Sequence, residues 1–487
     1  MSEITFSSDG IRGIVGDWPF TQNGMYCIGQ ALSGFLLRKK IENYQVVLGR
    51  DTRPSGKDYI RVLKSCFIDN GINVLDLGIA PTPVVAYITK TTRTQLGIVV
   101  SASHNPANYN GIKLVDSNGL RLQPDKEKEI KELLVSPNFT PNTVKKRRTR
   151  RYQRQKTDQV KRYIADHIKM LGRKSLLGLN LVIDCSNGAV SRTGEQLLTG
   201  LGASVTSLNN DMTGEKKIND NCGSEYYRRY PEKLIKIVRQ KGADYGFAFD
   251  GDGDRIVVVD RKGNFYNGDD LIYILAVYYA KRNELQNNKV VITDSANSGL
   301  KQSLKELGIE TIKTLNGDRN LEAKMWGKKN SYMLGAEQVG NIIINDEKHG
   351  AADSLYAISL LFKLLSTEEA AVPKETILKE KAGSLKKWPQ VLATVHMTEK
   401  ISQKDINWIK KEIKNKSGLK YHIRIKAWYS STESGLFNVM IEGAESGKLE
   451  VISGLAIQFC RKVLRLTHEK PRVFDLSSRK RLGITKS

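Results

Sequence analysis

The chain of 487 residues contains no apolar run of about eighteen residues, the length an α-helix needs to cross a bilayer, so no membrane span is expected. It is also poor in cysteine. Cys27, Cys66, Cys185, Cys222 and Cys460 are scattered without metal-ligand spacing. An odd, dispersed set favours reduced thiols in a cytoplasmic compartment. Met1-Ser2-Glu3 lacks the basic region and apolar stretch of a signal peptide, and no secretion is expected. No C2H2 finger, aromatic RNP-type motif or zipper heptad is found.

Acidic residues are outnumbered, 52 against 77 basic ones, for a net charge of +25. Such a balance invites a nucleic-acid reading. Its sharpest concentration is Lys145-Lys146-Arg147-Arg148-Thr149-Arg150-Arg151-Tyr152-Gln153-Arg154-Gln155-Lys156. That run lies between two domain-like regions and reads as a solvated linker, or as a contact for RNA or an acidic protein partner. Positive potential also steers small anionic substrates, so charge alone does not choose among these.

A chain this long exceeds one hydrophobic core and fits three or four domains. Strand-then-helix alternation recurs, as expected of α/β layers with largely parallel sheets. Strands are expected at 44–48, 73–77, 97–100, 180–183, 245–249, 256–259, 289–293, 332–335, 391–395, 421–427 and 437–441. Helices are expected at 57–70, 157–170, 269–281 and 403–415, with 260–267 as a turn. The domains divide as 1–150, 151–259, 260–384 and 385–487, the last closing in a basic, Ser-rich tail over 469–487.

Two motifs carry chemistry. Ser101-Ala102-Ser103-His104-Asn105-Pro106, followed by Asn110-Gly111-Ile112-Lys113, sets a serine hydroxyl in a loop directly after an apolar strand. The set suits a serine that carries a phosphoryl group: His104 and Lys113 offset charge, and Asn105-Pro106 stiffens the loop. A Ser-His pair alone would be an ordinary loop. The second motif, Phe249-Asp250-Gly251-Asp252-Gly253-Asp254-Arg255, places three carboxylates at alternate positions. Its glycines give the freedom a tight turn needs. Oxygen-only ligands select Mg²⁺ or Ca²⁺. An EF-hand is excluded, because Arg255 and a β-branched run replace the rest of that loop and its terminal glutamate is absent.

Together these motifs resemble the α-D-phosphohexomutase superfamily, which includes phosphoglucomutase, phosphomannomutase and phosphoglucosamine mutase. Ser8-Asp9-Gly10-Ile11-Arg12-Gly13, Gly49-Arg50-Asp51-Thr52-Arg53 and Pro81-Thr82-Pro83 look like further landmarks of that family. Ile218-Asn219, Cys222-Gly223-Ser224, Pro231-Glu232 and Gly242-Ala243-Asp244 are most similar to the phosphoglucosamine mutase branch. The resemblance runs to about residue 445 and implies three similar mixed α/β domains plus a smaller C-terminal α+β domain around a central cleft.

It also implies a reaction: Mg²⁺-dependent movement of a phosphoryl group between the 1- and 6-positions of a hexose or hexosamine phosphate. Phosphoserine at Ser103 and a sugar bisphosphate would be the intermediates. Ser103, Asp250, Asp252 and Asp254 would hold Mg²⁺, and Arg255 would contact the phosphoryl group. Lys113, its pKa depressed by its neighbours, would move a proton, with His104 beside the serine. Arg12 would lie across the cleft and polarise the transferring group. Arg50 and Arg53 would brace the loop or touch phosphate. Glu337, Asp318, Arg319, Ser430 and Thr432 would contact substrate.

The substrate-facing half departs from the family pattern. Taking Glu337 as the family's glutamate, Val339 and Asn341 replace a serine and a histidine. Trp428 and Asn438 stand where arginines anchor phosphate, and Leu315 where relatives usually place lysine. Trp428 would stack on a ring or fill the vacated space. Three readings follow: a divergent mutase, a non-catalytic or regulatory homologue that binds a partner, or a slow sugar-phosphate phosphatase.

Overall fold

The protein is described by a computed structural model over residues 10–39, 41, 43–135, 158–327, 330–368, 376–397, 401–416, 423–429, 435–444, 449–464 and 472–477. Ser8, Asp9, the basic run 145–156, Ser430, Thr432 and the tail beyond 477 lie outside the described residues.

The first sheet holds β1 (Ile11–Ile14), β2 (Gln45–Arg50), β3 (Asn73–Ile79), β4 (Leu96–Val100) and β5 (Tyr109–Asp116), in the order β1-β5-β4-β2-β3. β2 runs parallel to β3 and β4, β5 antiparallel to β4, and β1 antiparallel to β5. The second sheet repeats these senses with β6 (Asn180–Asp184), β7 (Ser204–Leu208), β8 (Tyr245–Phe249), β9 (Ile256–Asp260) and β10 (Phe265–Tyr266), in the order β10-β9-β8-β6-β7. In the third unit come β11 (Lys289–Thr293) and β12 (Glu310–Thr314), then a two-stranded ribbon of β13 (Trp326–Gly327) and β14 (Asn330–Ser331). β15 (Leu334–Ala336) and β16 (Ile342–Ile344) complete its sheet, β12-β11-β15-β16, which is the same pattern without the outermost strand.

The sheets are therefore mixed rather than largely parallel. Parallel neighbours need a crossover of a dozen residues or more, supplied between β2 and β3 by the helix Pro54–Asp69. The short loop from β4 to β5 permits only an antiparallel return. The segment expected as a turn at 260–267 contains β10, which pairs with β9. β4 and β8 are buried at every position, as strands covered on both faces are, which is why they read as unbroken apolar runs.

One continuous apolar cluster joins the three units, among them Val47, Tyr163, Phe247, Ile292 and Leu361. Each large side chain buried there stabilises by about 1.5–3 kcal/mol. The fourth unit is antiparallel: β17 (Gln390–His396), β18 (Ile423–Tyr429), β19 (Leu436–Gly443) and β20 (Arg472–Asp475), in the order β18-β19-β17-β20. Helices Gln403–Lys416 and Leu449–Leu464 cover one face, through Ile409, Ile413, Leu455 and Phe459. Among the described residues no helix is long and apolar enough to cross a membrane.

Candidate active site

Three loops occupy one topological place, between a central parallel strand and its antiparallel neighbour. The serine loop follows β4, the aspartate loop follows β8, and residues 337–341 follow β15. Ser103 lies in the left-handed region with φ 52° and is fully buried. That conformation costs a non-glycine residue about 1–3 kcal/mol and persists only where the surroundings hold it. Ser101 Oγ accepts from its amide at 2.9 Å, and Asn219 and Arg53 donate to its carbonyl at 2.8 and 3.2 Å.

Arg53 also donates to the carbonyls of Asn105 (2.7 Å), Tyr109 (2.9 Å) and Pro106, while its Nε meets Asp51 at 2.9 Å. It braces the loop. Arg50 donates to the Asp51 carbonyl at 2.8 Å. Gly251 lets the aspartate loop approach closely, since a Cβ there would stand 2.6 Å from the Ser103 carbonyl oxygen.

Ser103 Oγ donates to Asp250 Oδ2 at 2.5 Å, with His104 Nδ1 3.3 Å from the same oxygen. Lys113, buried on β5, sets Nζ 2.5 Å from Asp252 and 2.6 Å from Asp254. The Thr82 hydroxyl donates to Asp252. One oxygen from each of Asp250, Asp252 and Asp254 lies within 4.8 Å of the others, and all three residues are buried. Among the described residues, Oδ1 of Asp252 and of Asp254 is buried without a hydrogen-bond partner.

Burial, and then Asp254 and Asp252, push the Asp250 pKa well up. Burial and Asp252 raise Asp254. Asp252 stays below the usual carboxylate range because Lys113 and Thr82 outweigh its burial. Clustered, partly unsatisfied hard oxygens of one sign fit a divalent cation, which would relieve both the repulsion and the missing contacts.

The expectation of a depressed Lys113 pKa is corrected. Burial pushes it down, but Asp252, Asp254 and Asp318 more than reverse this and raise it above the ordinary lysine value. Arg12 is placed differently as well. It sits on β1, in the same sheet as the serine loop, and donates to Asn105 Oδ1 at 2.6 Å. The Arg255 amide donates to Asp250 at 3.1 Å, and its backbone bridges to Asn341.

Glu337 Oε1 accepts from the Gly317 amide at 2.7 Å. Asn341 donates to the Asp254 carbonyl at 3.2 Å, tying the third loop to the second. Asp318 and Arg319 face the first unit: Arg121 lies 3.4 Å from Asp318, and Arg319 pairs with Glu127. The Arg121 amide also donates to Glu322 at 2.6 Å, so this cluster latches the third unit to the first. Trp428 and Asn438 are cross-strand partners, and Trp428 packs against Leu392, Met440 and Leu476. Leu315 is 67% exposed.

Beyond the serine loop, a cleft of about 870 Å³ reaches the fourth unit, lined by His104, Lys217, Asn219, Arg229, His396 and Arg472. Lys217, Arg229 and Arg472 do not stand out in the sequence. They sit on separate segments without a motif, and only the fold gathers them.

Family models for phosphoglucomutase/phosphomannomutase alpha/beta/alpha domains I, II and III match residues 3–140, 161–263 and 267–382. A phosphoglucosamine mutase of Carboxydothermus hydrogenoformans is 34% identical over 447 residues, covering 92% of this chain and 97% of that protein. A phosphoglucosamine mutase of Alkaliphilus metalliredigens is 35% identical over 457 residues, covering 93% and 97%. The fold matches a crystal structure of a phosphoglucomutase/phosphomannomutase family protein from Burkholderia thailandensis with a TM-score of 0.72, at 21% identity and over 96% and 98% of the two chains. The domain matches fall on the three sheets whose loops are joined through Asp250 and Asn341, and the relatives align over nearly the whole length, so this chain belongs to the phosphoglucomutase/phosphomannomutase family.

Proposed function

We propose that this phosphosugar mutase works through phosphoserine at Ser103 on a hexosamine phosphate, as the names of its relatives suggest, with Mg²⁺ as its metal. The observation that carries the reading is the 2.5 Å contact from Ser103 Oγ to Asp250, which puts the serine on the carboxylate cluster. A phosphoserine dianion beside three carboxylates would be repelled without a cation. Mg²⁺ on Asp250, Asp252 and Asp254 would supply that charge and polarise a phosphoryl oxygen.

The serine phosphate passes to the free hydroxyl of the sugar monophosphate, whose proton leaves as the new P–O bond forms and the Ser103 O–P bond breaks. The bisphosphate then turns in the cleft and returns its other phosphate to Ser103. Lys113, held protonated by Asp252, Asp254 and Asp318, gives a proton to the departing Ser103 oxygen, and His104 beside the serine takes the proton of the sugar hydroxyl. Arg12 and Arg255 bear on the phosphoryl group, since such transfers need positioning and charge neutralisation above all. Glu337 receives a sugar hydroxyl, and Ser430 and Thr432 bind the distal phosphate. Asp318 and Arg319 act by holding the third unit on the first. The enzyme is cytoplasmic, and the run 145–156 falls between the first two domain matches.

Trp428 and Asn438 in place of arginines favour a second reading, a homologue that accepts phosphate but turns sugars over poorly. One experiment separates the two. Protein is incubated with hexose and hexosamine 1,6-bisphosphates and weighed intact, and the modified peptide is mapped. Phosphate on Ser103 followed by rapid interconversion of added hexosamine 1- and 6-phosphates supports the mutase, phosphate on Ser103 without that interconversion supports the second reading, and an unmodified Ser103 under all conditions overturns the phosphoserine mechanism.

A further inference from the structure

Away from the cleft, the helix Gln159–Leu171 meets the helix Thr82–Thr91 and the start of Ser354–Glu368. At this junction His167 and His349 are buried against each other, among the rings of Tyr87, Tyr163 and Tyr356. His167 Nδ1 lies 2.7 Å from the Tyr163 carbonyl, which can only accept, so that nitrogen carries the proton. His349 Nδ1 lies 2.8 and 2.9 Å from the two oxygens of Asp346. The amides of Lys348 and His349 and the Tyr356 hydroxyl donate to the same carboxylate, which is thereby held as an acceptor. His349 Nδ1 therefore carries a proton too.

The two remaining nitrogens, both Nε2, face each other at 2.8 Å. With each proton on Nδ1, both present a lone pair, and two lone pairs at that distance repel unless a cation lies between them. Asp353 brings a carboxylate to the same place: one ligand atom from each of His167, His349 and Asp353 lies within 4.8 Å of the others. Asp353 is oriented by the Tyr163 hydroxyl at 2.8 Å and the Tyr356 amide at 3.0 Å. Histidines whose second nitrogen donates to a carbonyl or carboxylate are arranged as metal ligands are.

We propose that His167, His349 and Asp353 form a second metal site, separate from the aspartate loop, that takes a divalent first-row transition ion, Zn²⁺ above all. Imidazole nitrogen selects such ions over Mg²⁺. Zn–N bonds of about 2.0–2.1 Å in tetrahedral geometry need the Nε2 atoms to part by roughly 0.5 Å, within reach of small ring rotations. The ion would staple the helix Gln159–Leu171 to the third unit.

The test uses full-length protein stripped with a chelator, then titrated with Zn²⁺ while millimolar Mg²⁺ occupies the aspartate loop. One equivalent of Zn²⁺ is expected in wild type and in Asp252→Asn, with binding at least about 100-fold weaker in His167→Gln and His349→Gln. Co²⁺ in place of Zn²⁺ should give tetrahedral visible bands that the histidine variants lack, and Zn²⁺ should raise the Tm of wild type. Binding that survives His349→Gln overturns the assignment. So does a wild type with no Zn²⁺ equivalent and no Co²⁺ bands, a result independent of whether the variants fold; the facing nitrogens would then share a proton.

Discussion

In the serine and aspartate loops, side chains that the sequence marks for chemistry meet across units: Ser103 meets Asp250, and Lys113 meets Asp252 and Asp254. In the third and fourth units, one expected substrate contact and two residues that replace such contacts meet protein instead. Arg319 is spent on Glu127, Asn341 on the Asp254 carbonyl, and Trp428 on Leu392, Met440 and Leu476. Phosphoryl transfer needs a few groups placed at fixed positions and fully desolvated, so a change there is not absorbed by neighbours. Recognition is spread over an open cleft, where Lys217, Arg229 and Arg472 offer other cations. The transfer half can stay constant while the recognition half drifts.

The comparison breaks first at Ser103. Ser103→Ala should lower turnover by about 10³-fold or more and leave the intact mass without added phosphate, with the Tm little changed. Undiminished turnover would show that phosphoryl transfer does not pass through this serine.

Asp252→Asn should weaken Mg²⁺ binding by about 100-fold in calorimetry, because it deletes a ligand and the partner of Lys113. The same measurement in wild type should show affinity rising with pH. The Asp250 pKa is raised, so its proton is retained above the ordinary carboxylate range and must be displaced by the metal. A flat profile through and above that range would contradict the crowding of the three carboxylates.

Arg319→Ala sharpens the line between latch and ligand. Leaving Glu127 buried and unpaired should cost about 3 kcal/mol in denaturant unfolding, with KM changed less than about threefold. A large rise in KM at unchanged stability would return Arg319 to the substrate.

The smallest effect is expected at the fourth unit. Trp428→Arg should lower KM for a hexosamine phosphate about tenfold, since a charged hydrogen bond contributes about 1.5–3 kcal/mol. Adding Asn438→Arg should weaken the gain, because positions 428 and 438 are directly opposed across two strands and like charges there repel. An additive gain from both arginines would show that the sheet holds them apart.

The expected strands and the four expected helices are legible in the sequence because their periodicity and boundaries are local, whereas most other helices, Gln22–Leu37 and Thr82–Thr91 among them, are not among the expectations. The strands at Tyr245–Phe249 and Lys289–Thr293 lie at the expected residues. The helix expected at 57–70 starts earlier, at Pro54, since proline is well suited to a first helical turn. The helices Ser354–Glu368 and Leu449–Leu464 are absent from the sequence-based expectations; the first is so nearly continuous in apolar residues that its period does not separate helix from buried strand. The repeat of one strand pattern across three sheets is invisible in sequence, because topology constrains pairing direction and leaves side-chain identity free.

By itself the sequence determined what is contiguous: a serine in a stiff loop, three alternating aspartates on glycine hinges, and the family they resemble. Those features act through neighbours a few residues away, so their chemistry survives being read as a string. Tertiary structure decided which charges meet. It raised rather than lowered the Lys113 pKa, paired Arg319 with Glu127, and set His167 against His349 across 182 residues of chain. Each depends on burial and on the approach of distant strands and helices. Coulomb and desolvation energies follow distance in space, and separation along the chain does not encode it.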